Sequence, residues 1–105
     1  MINLKLYKNK NLVFSKDGKQ EKEILIFDNI IYDPINYILI KEDNNFKYEL
    51  NFKKNTGLIT IKENDYSLNL KMNVTNMEIK DNIHKIYYNI ESENLIQNDI
   101  IITFK

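Results

Sequence analysis

The chain has no cysteine, arginine, alanine or tryptophan, only two glycines and one proline in 105 residues, and a single histidine. Without cysteine there is no disulfide framework and no thiolate metal ligand. Without arginine no bidentate guanidinium clamp can hold a carboxylate or phosphate. The scarcity of glycine and proline excludes collagen-like and proline-rich linker classes. Neither charge sign prevails, because 15 lysines balance 15 acidic residues. A dedicated nucleic-acid binder needs a positive footprint, and electrostatic attachment to an anionic membrane needs a basic patch. The longest apolar runs, such as Ile24 to Phe27, are far too short for a bilayer-spanning helix. Met1 to Lys10 alternates apolar and polar residues, so no secretory leader is expected there.

Isoleucine (18), asparagine (17) and lysine (15) make up 50 of the 105 residues. Their codons are rich in A and T, so a base-composition bias of an AT-rich bacterial genome accounts for the excess. The abundant asparagine is read as background rather than as chemistry. The length allows one domain, residues 1–105, and the mixed charge suits a soluble globular protein. The bacterial cytoplasm is the default expectation for its setting.

Period two runs from end to end. Phe46, Tyr48, Leu50 and Phe52 alternate with Lys47, Glu49 and Asn51, and Tyr66, Leu68, Leu70 and Met72 alternate with Ser67, Asn69 and Lys71. Ile86, Tyr88 and Ile90 alternate with Lys85, Tyr87 and Asn89, and Ile100, Ile102 and Phe104 share a face. Successive strand side chains point to opposite faces, so each run has one buried and one wet face. No window sustains a helical stripe. The chain is read as all-β.

Turn chemistry divides this pattern. Asp17-Gly18 is the strongest hairpin signal, because both residue types tolerate positive φ. Asp33-Pro34, Asp43 to Asn45, Asn55 to Gly57, Glu63 to Asp65, Asp81-Asn82 and a segment within Asn94 to Asp99 supply others. Strands are predicted near 20–27, 29–33, 37–42, 46–53, 57–63, 66–73, 75–80, 84–91 and 99–104, after a first at 2–8. About eight to ten short strands with little or no helix predict a single antiparallel up-and-down barrel, since closure removes unpaired edges. The last strand is apolar on both faces, as a central or closing strand would be. Glu23 to Tyr32 is expected to bend at Asp28-Asn29 and serve both sides of the barrel.

With its Asp17-Gly18 hairpin, its bent Glu23 to Tyr32 segment and its closing meander of Tyr66 to Lys80, Ile86 to Ile90 and Asn98 to Phe104, the chain resembles the YwiB-like family of small bacterial calycin-like barrels. The resemblance implies an up-and-down barrel of lipocalin-like architecture. It carries no established activity over to these residues.

Chemistry is sparse. His84 sits after the Asp81-Asn82 turn and reads as an exposed strand start, with no converging ligands for a metal and no nucleophile to serve. No serine lies in a nucleophile elbow, and no glycine-rich loop could cradle phosphate. Neither a catalytic residue nor a cofactor is assigned. Tyr48, Tyr66 and Tyr88 read as interior beside Phe46, Phe52, Met72, Met77 and Phe104. Large inward side chains favour a filled barrel. The alternative is a cavity in which tyrosine hydroxyls orient a small apolar or amphipathic ligand, with Tyr48, Phe52, Tyr66 and Tyr88 as candidates. A rival reading, a protein-interaction module or homodimer with no ligand, would use Tyr87 and Ile101 on the outer face. Nucleic acid and membrane insertion are not expected as partners.

Overall fold

The computed structural model describes residues 1–93 and 96–104. Eleven strands form one antiparallel sheet: β1 (Asn3–Lys8), β2 (Asn11–Asp17), β3 (Lys19–Glu21), β4 (Ile24–Phe27), β5 (Ile30–Asp33), β6 (Ile38–Glu42), β7 (Phe46–Asn51), β8 (Thr56–Ile61), β9 (Tyr66–Lys80), β10 (Ile83–Ile90) and β11 (Asn98–Thr103). The one helical element is a short 3-10 turn, Glu91–Glu93. All consecutive strands pair except β2 and β3, where the chain runs on from one into the other without pairing. In addition β1 pairs with β11, joining the first strand to the last. The result is a nearly closed up-and-down barrel, consistent with a calycin-like fold. The final strand is held between β1 and β10, as its two apolar faces require.

The Asp17-Gly18 hairpin expected from sequence does not exist. Here the extended backbone passes from β2, paired to β1, into β3, paired to β4. Gly18 has no positive φ. It is glycine because a Cβ would meet the Phe27 ring at 2.4 Å and the Ile26 carbonyl oxygen at 2.5 Å. Its amide donates to the Ile2 carbonyl at 2.9 Å, fastening the crossover to the start of β1. The β1–β2 and β3–β4 hairpins turn on Asn9, Lys10 and Lys22, which the sequence pattern does not single out, whereas Asn55 and Asp65 lie in the turns predicted there. Asn9 (φ 49°) and Lys10 (φ 68°) form the tight β1–β2 turn, and Lys22, Asp28, Asn55 and Asp65 also have positive φ. Asparagine and aspartate tolerate that region best after glycine, so this glycine-poor chain uses them in its place. Asp28-Asn29 is therefore a hairpin turn between β4 and β5, not a bend within one strand.

One predicted break is also absent. β9 runs unbroken through Asn73 to Thr75, giving its first half to β8 and its second to β10. The register shifts where Tyr87 faces Asn76 and Tyr88 faces Val74, leaving Thr75 as a bulge whose hydroxyl donates to the Tyr87 carbonyl at 3.1 Å. Such a bulge increases local bend and twist, which lets one strand wrap the wall. The turn expected within Asn94 to Asp99 falls partly outside the described residues.

Candidate ligand cavity

The barrel interior has two unlike halves. At one end, where β10 starts and β11 finishes, it is filled. Leu25, Phe27, Tyr32, Phe52, Ile86 and Ile102 are almost wholly buried there. His84 belongs to this plug, with 4% exposure, contrary to the exposed strand start expected from sequence. Its Nδ1 lies 2.7 Å from the Tyr32 hydroxyl, and the rings of Tyr32, Tyr37 and Phe104 meet it edge-on at 5.7, 5.4 and 5.0 Å. The neighbouring turn hid this from the sequence, but the inward parity of His84 with Ile86 and Tyr88 was there to read. Burial lowers the His84 pKa and pushes that of Tyr32 well up. The pair is therefore a neutral imidazole and a protonated phenol. With the ring proton on Nε2 the hydroxyl donates to Nδ1, and with it on Nδ1 the ring donates to the phenol oxygen; either tautomer keeps the pair hydrogen-bonded.

The other end is hollow. A cavity of about 520 Å³ opens there, within the range typical of small-molecule sites. Its walls are mainly aliphatic, including Leu4, Leu6, Ile30, Leu39, Leu50 and Ile100. Thus the expectation of a filled barrel holds for one half only. Tyr48 and Tyr88 line this space, and Tyr88 is the deeper, with its ring 5.1 Å from that of Phe52. Phe52 backs the cavity but does not line it.

Two aromatic residues were misplaced by sequence reasoning. Tyr66 is 53% exposed and Phe46 36%, and neither lines the cavity. They stand in one ladder row, Phe46–Ile61–Tyr66, at the open end of β7, β8 and β9. Tyr48, Ile59 and Leu70, which do line the cavity, lie further along the same strands. The inward parity of Tyr66 is right; its row lies beyond the rim. Tyr87 and Ile101 are half-buried on the outer wall. Ile101 lies between Lys5 and Lys85, and the Tyr87 hydroxyl donates to Glu78 at 3.2 Å.

The polar groups at the mouth escaped the sequence reading. Lys8 of β1 donates to Asn98 Oδ1 at 2.9 Å and reaches Glu93 at 3.4 Å, while Asn98 Nδ2 donates to Glu93 Oε1 at 3.3 Å. Asn98 is 1% exposed, so this asparagine is structural rather than background. It shares a strand face with Ile100 and Ile102, as Lys8 does with Leu4 and Leu6, and that parity was the available signal. Across the mouth, Asp43 accepts from the Phe46 and Asn45 amides at 2.8 Å each. These bonds, with Lys41 nearby, hold its carboxyl below the usual range. Burial, reinforced by the Glu93 charge, pushes the Tyr88 phenol well up, so it is a protonated donor. Among the described residues nothing hydrogen-bonds that hydroxyl, and none of their fully sealed polar side-chain atoms lacks a partner. Tyr88 is one of the residues that line the cavity.

Among the described residues no cluster of three or more His, Asp or Glu could hold a metal ion. None of their helices is long and apolar enough to cross a membrane. The chain matches no family model, no curated protein and no solved structure.

Proposed function

We propose that this protein is a non-enzymatic barrel that takes a small apolar or amphipathic molecule into its half-hollow interior. The observation that carries this reading is the cavity of about 520 Å³, walled mainly by aliphatic side chains with a few polar groups among them. Burial of an apolar tail there would release water from both surfaces, at roughly 25 cal/mol per Å² of apolar area. Tyr88 and Tyr48 are the orienting hydroxyls of this reading. Phe52 supports Tyr88 from behind, and Tyr66 belongs to the lip the ligand would pass. Kinship with the YwiB-like barrels of bacteria, and a cytoplasmic setting, complete the proposal.

Uptake of the neutral fluorescent probe N-phenylnaphthylamine tests it. Saturable binding should be abolished by Leu50→Trp, which fills the cavity, in a variant that still unfolds cooperatively. Probe binding that survives the filled cavity would place the site elsewhere.

A second reading has its own support. β2 pairs only with β1, and its Leu12 and Val13 are 52% and 53% exposed. A strand with one unpaired edge is a template for another chain, so a homodimer through this edge is the alternative. Tyr87 and Ile101 would serve it only if the outer wall were also covered. Native mass spectrometry distinguishes the two readings: the ligand-binding barrel is monomeric, and the interaction module is a dimer.

A further inference from the structure

We infer that the cavity selects an uncharged amphiphile, one whose polar head presents a hydrogen-bond acceptor such as an ester carbonyl, and that it discriminates against the corresponding carboxylate. This rests on the ligand-binding reading above and adds the chemistry of the head group.

The argument is one of charge balance at the mouth. Two lysines, Lys8 and Lys41, and two carboxylates, Asp43 and Glu93, line the space. The inward cation is already occupied: Lys8 donates to Asn98 and pairs with Glu93. Lys41 makes no ion pair within 4 Å among the described residues and stands exposed at the rim, on the side of the Asp43 carboxylate, away from the Tyr88 hydroxyl's own neighbour Glu93. An anionic head would have to compete with Glu93 for Lys8, and would gain no arginine fork in a chain that has none. It would also meet the Glu93 charge, which is felt at the Tyr88 hydroxyl. A carbonyl oxygen meets no such penalty. The Tyr88 hydroxyl is a donor with its proton unspent among the described residues, in a residue only 4% exposed. An acceptor placed against it satisfies a group whose burial would otherwise cost free energy. Glu93 thus acts as the specificity-determining residue, by keeping Lys8 occupied.

The experiment uses the intact protein, preloaded with N-phenylnaphthylamine and challenged with methyl octanoate or octanoate at about pH 8, where the acid is ionised. Methyl octanoate should displace the probe at a concentration about tenfold or more below that needed for octanoate, a gap of one decade in affinity. Glu93→Gln frees the Lys8 charge while keeping a side chain of the same shape. It should strengthen octanoate about tenfold and leave the ester within a factor of about two. Tyr88→Phe should weaken the ester while the probe still binds. Octanoate competing as well as the ester, or unchanged by Glu93→Gln, would overturn the inference and leave the cavity reading intact. So would a bound probe that neither compound displaces. A wild-type protein that takes up no probe would instead overturn the ligand-binding reading itself.

Discussion

The Tyr32 hydroxyl and His84 Nδ1 lie 2.7 Å apart, although 52 residues separate them in the chain. This bond joins β5 to β10 across the filled end of the barrel, and both residues are almost entirely buried. Tyr32→Phe keeps the ring and removes the hydroxyl, leaving Nδ1 without a partner. The loss should be about 1–3 kcal/mol, read from urea denaturation midpoints at neutral pH. A variant as stable as the parent would mean that water or a rotated ring satisfies His84.

The same pair sets a pH window. His84 is depressed below its ordinary value of 6.5 in the folded state, so the unfolded chain binds the proton more readily. Its contribution is complete above 6.5 and is lost as pH falls from there toward the depressed folded value. Glu42 and Asp43 are also lowered, but their losses begin only below their ordinary 4.5 and 3.8. Stability should therefore decline between about pH 6.5 and 4.5, and His84→Phe should flatten that interval. A slope that persists in the variant would place its origin in another group.

Tyr88 and Tyr87 are adjacent on β10 and face opposite ways. Tyr88→Ala removes a ring that packs on Phe52, and should cost about 3–5 kcal/mol. Tyr87→Ala loses a half-exposed ring and one bond to Glu78, and should cost much less. Equal midpoints for the two variants would show that the outer face is covered by another chain.

Gly18→Ala tests the crossover. The added methyl meets both the Phe27 ring and a carbonyl oxygen of the main chain. Overpacking of this kind costs about 1–3 kcal/mol. Phe27→Leu in the same chain should restore only part of it, because the Ile26 carbonyl cannot be trimmed. Full rescue would mean that the backbone there moves freely.

Deleting residues 99–105 removes the strand that both β1 and β10 depend on. Two new edges would be exposed, and the truncated chain should be insoluble or associate. Size-exclusion chromatography decides this. A monomer with the parent's cooperative unfolding would show that the barrel closes without β11.

Much of this molecule is written in its alternation. Period two in Tyr48, Leu50, Leu70, Ile86, Tyr88, Ile100 and Ile102 was enough for an all-β meander with its inward face correctly chosen, because strand geometry makes neighbouring side chains diverge. The apolar two-faced ending was enough to place the last strand between partners. Sequence could not set how far along each strand the barrel extends. Tyr66 and Tyr88 carry the same signal, yet one lies beyond the rim and the other in the cavity, since stagger between strands is a property of closure. Nor could it tell a glycine that turns from one that is approached. Gly18 is required by Phe27 and Ile26, which reach it only through the β3–β4 pairing. His84 and Asn98 likewise took their roles from residues distant in the chain, Tyr32 and Lys8, because a buried polar group is defined by the partner that folding brings to it.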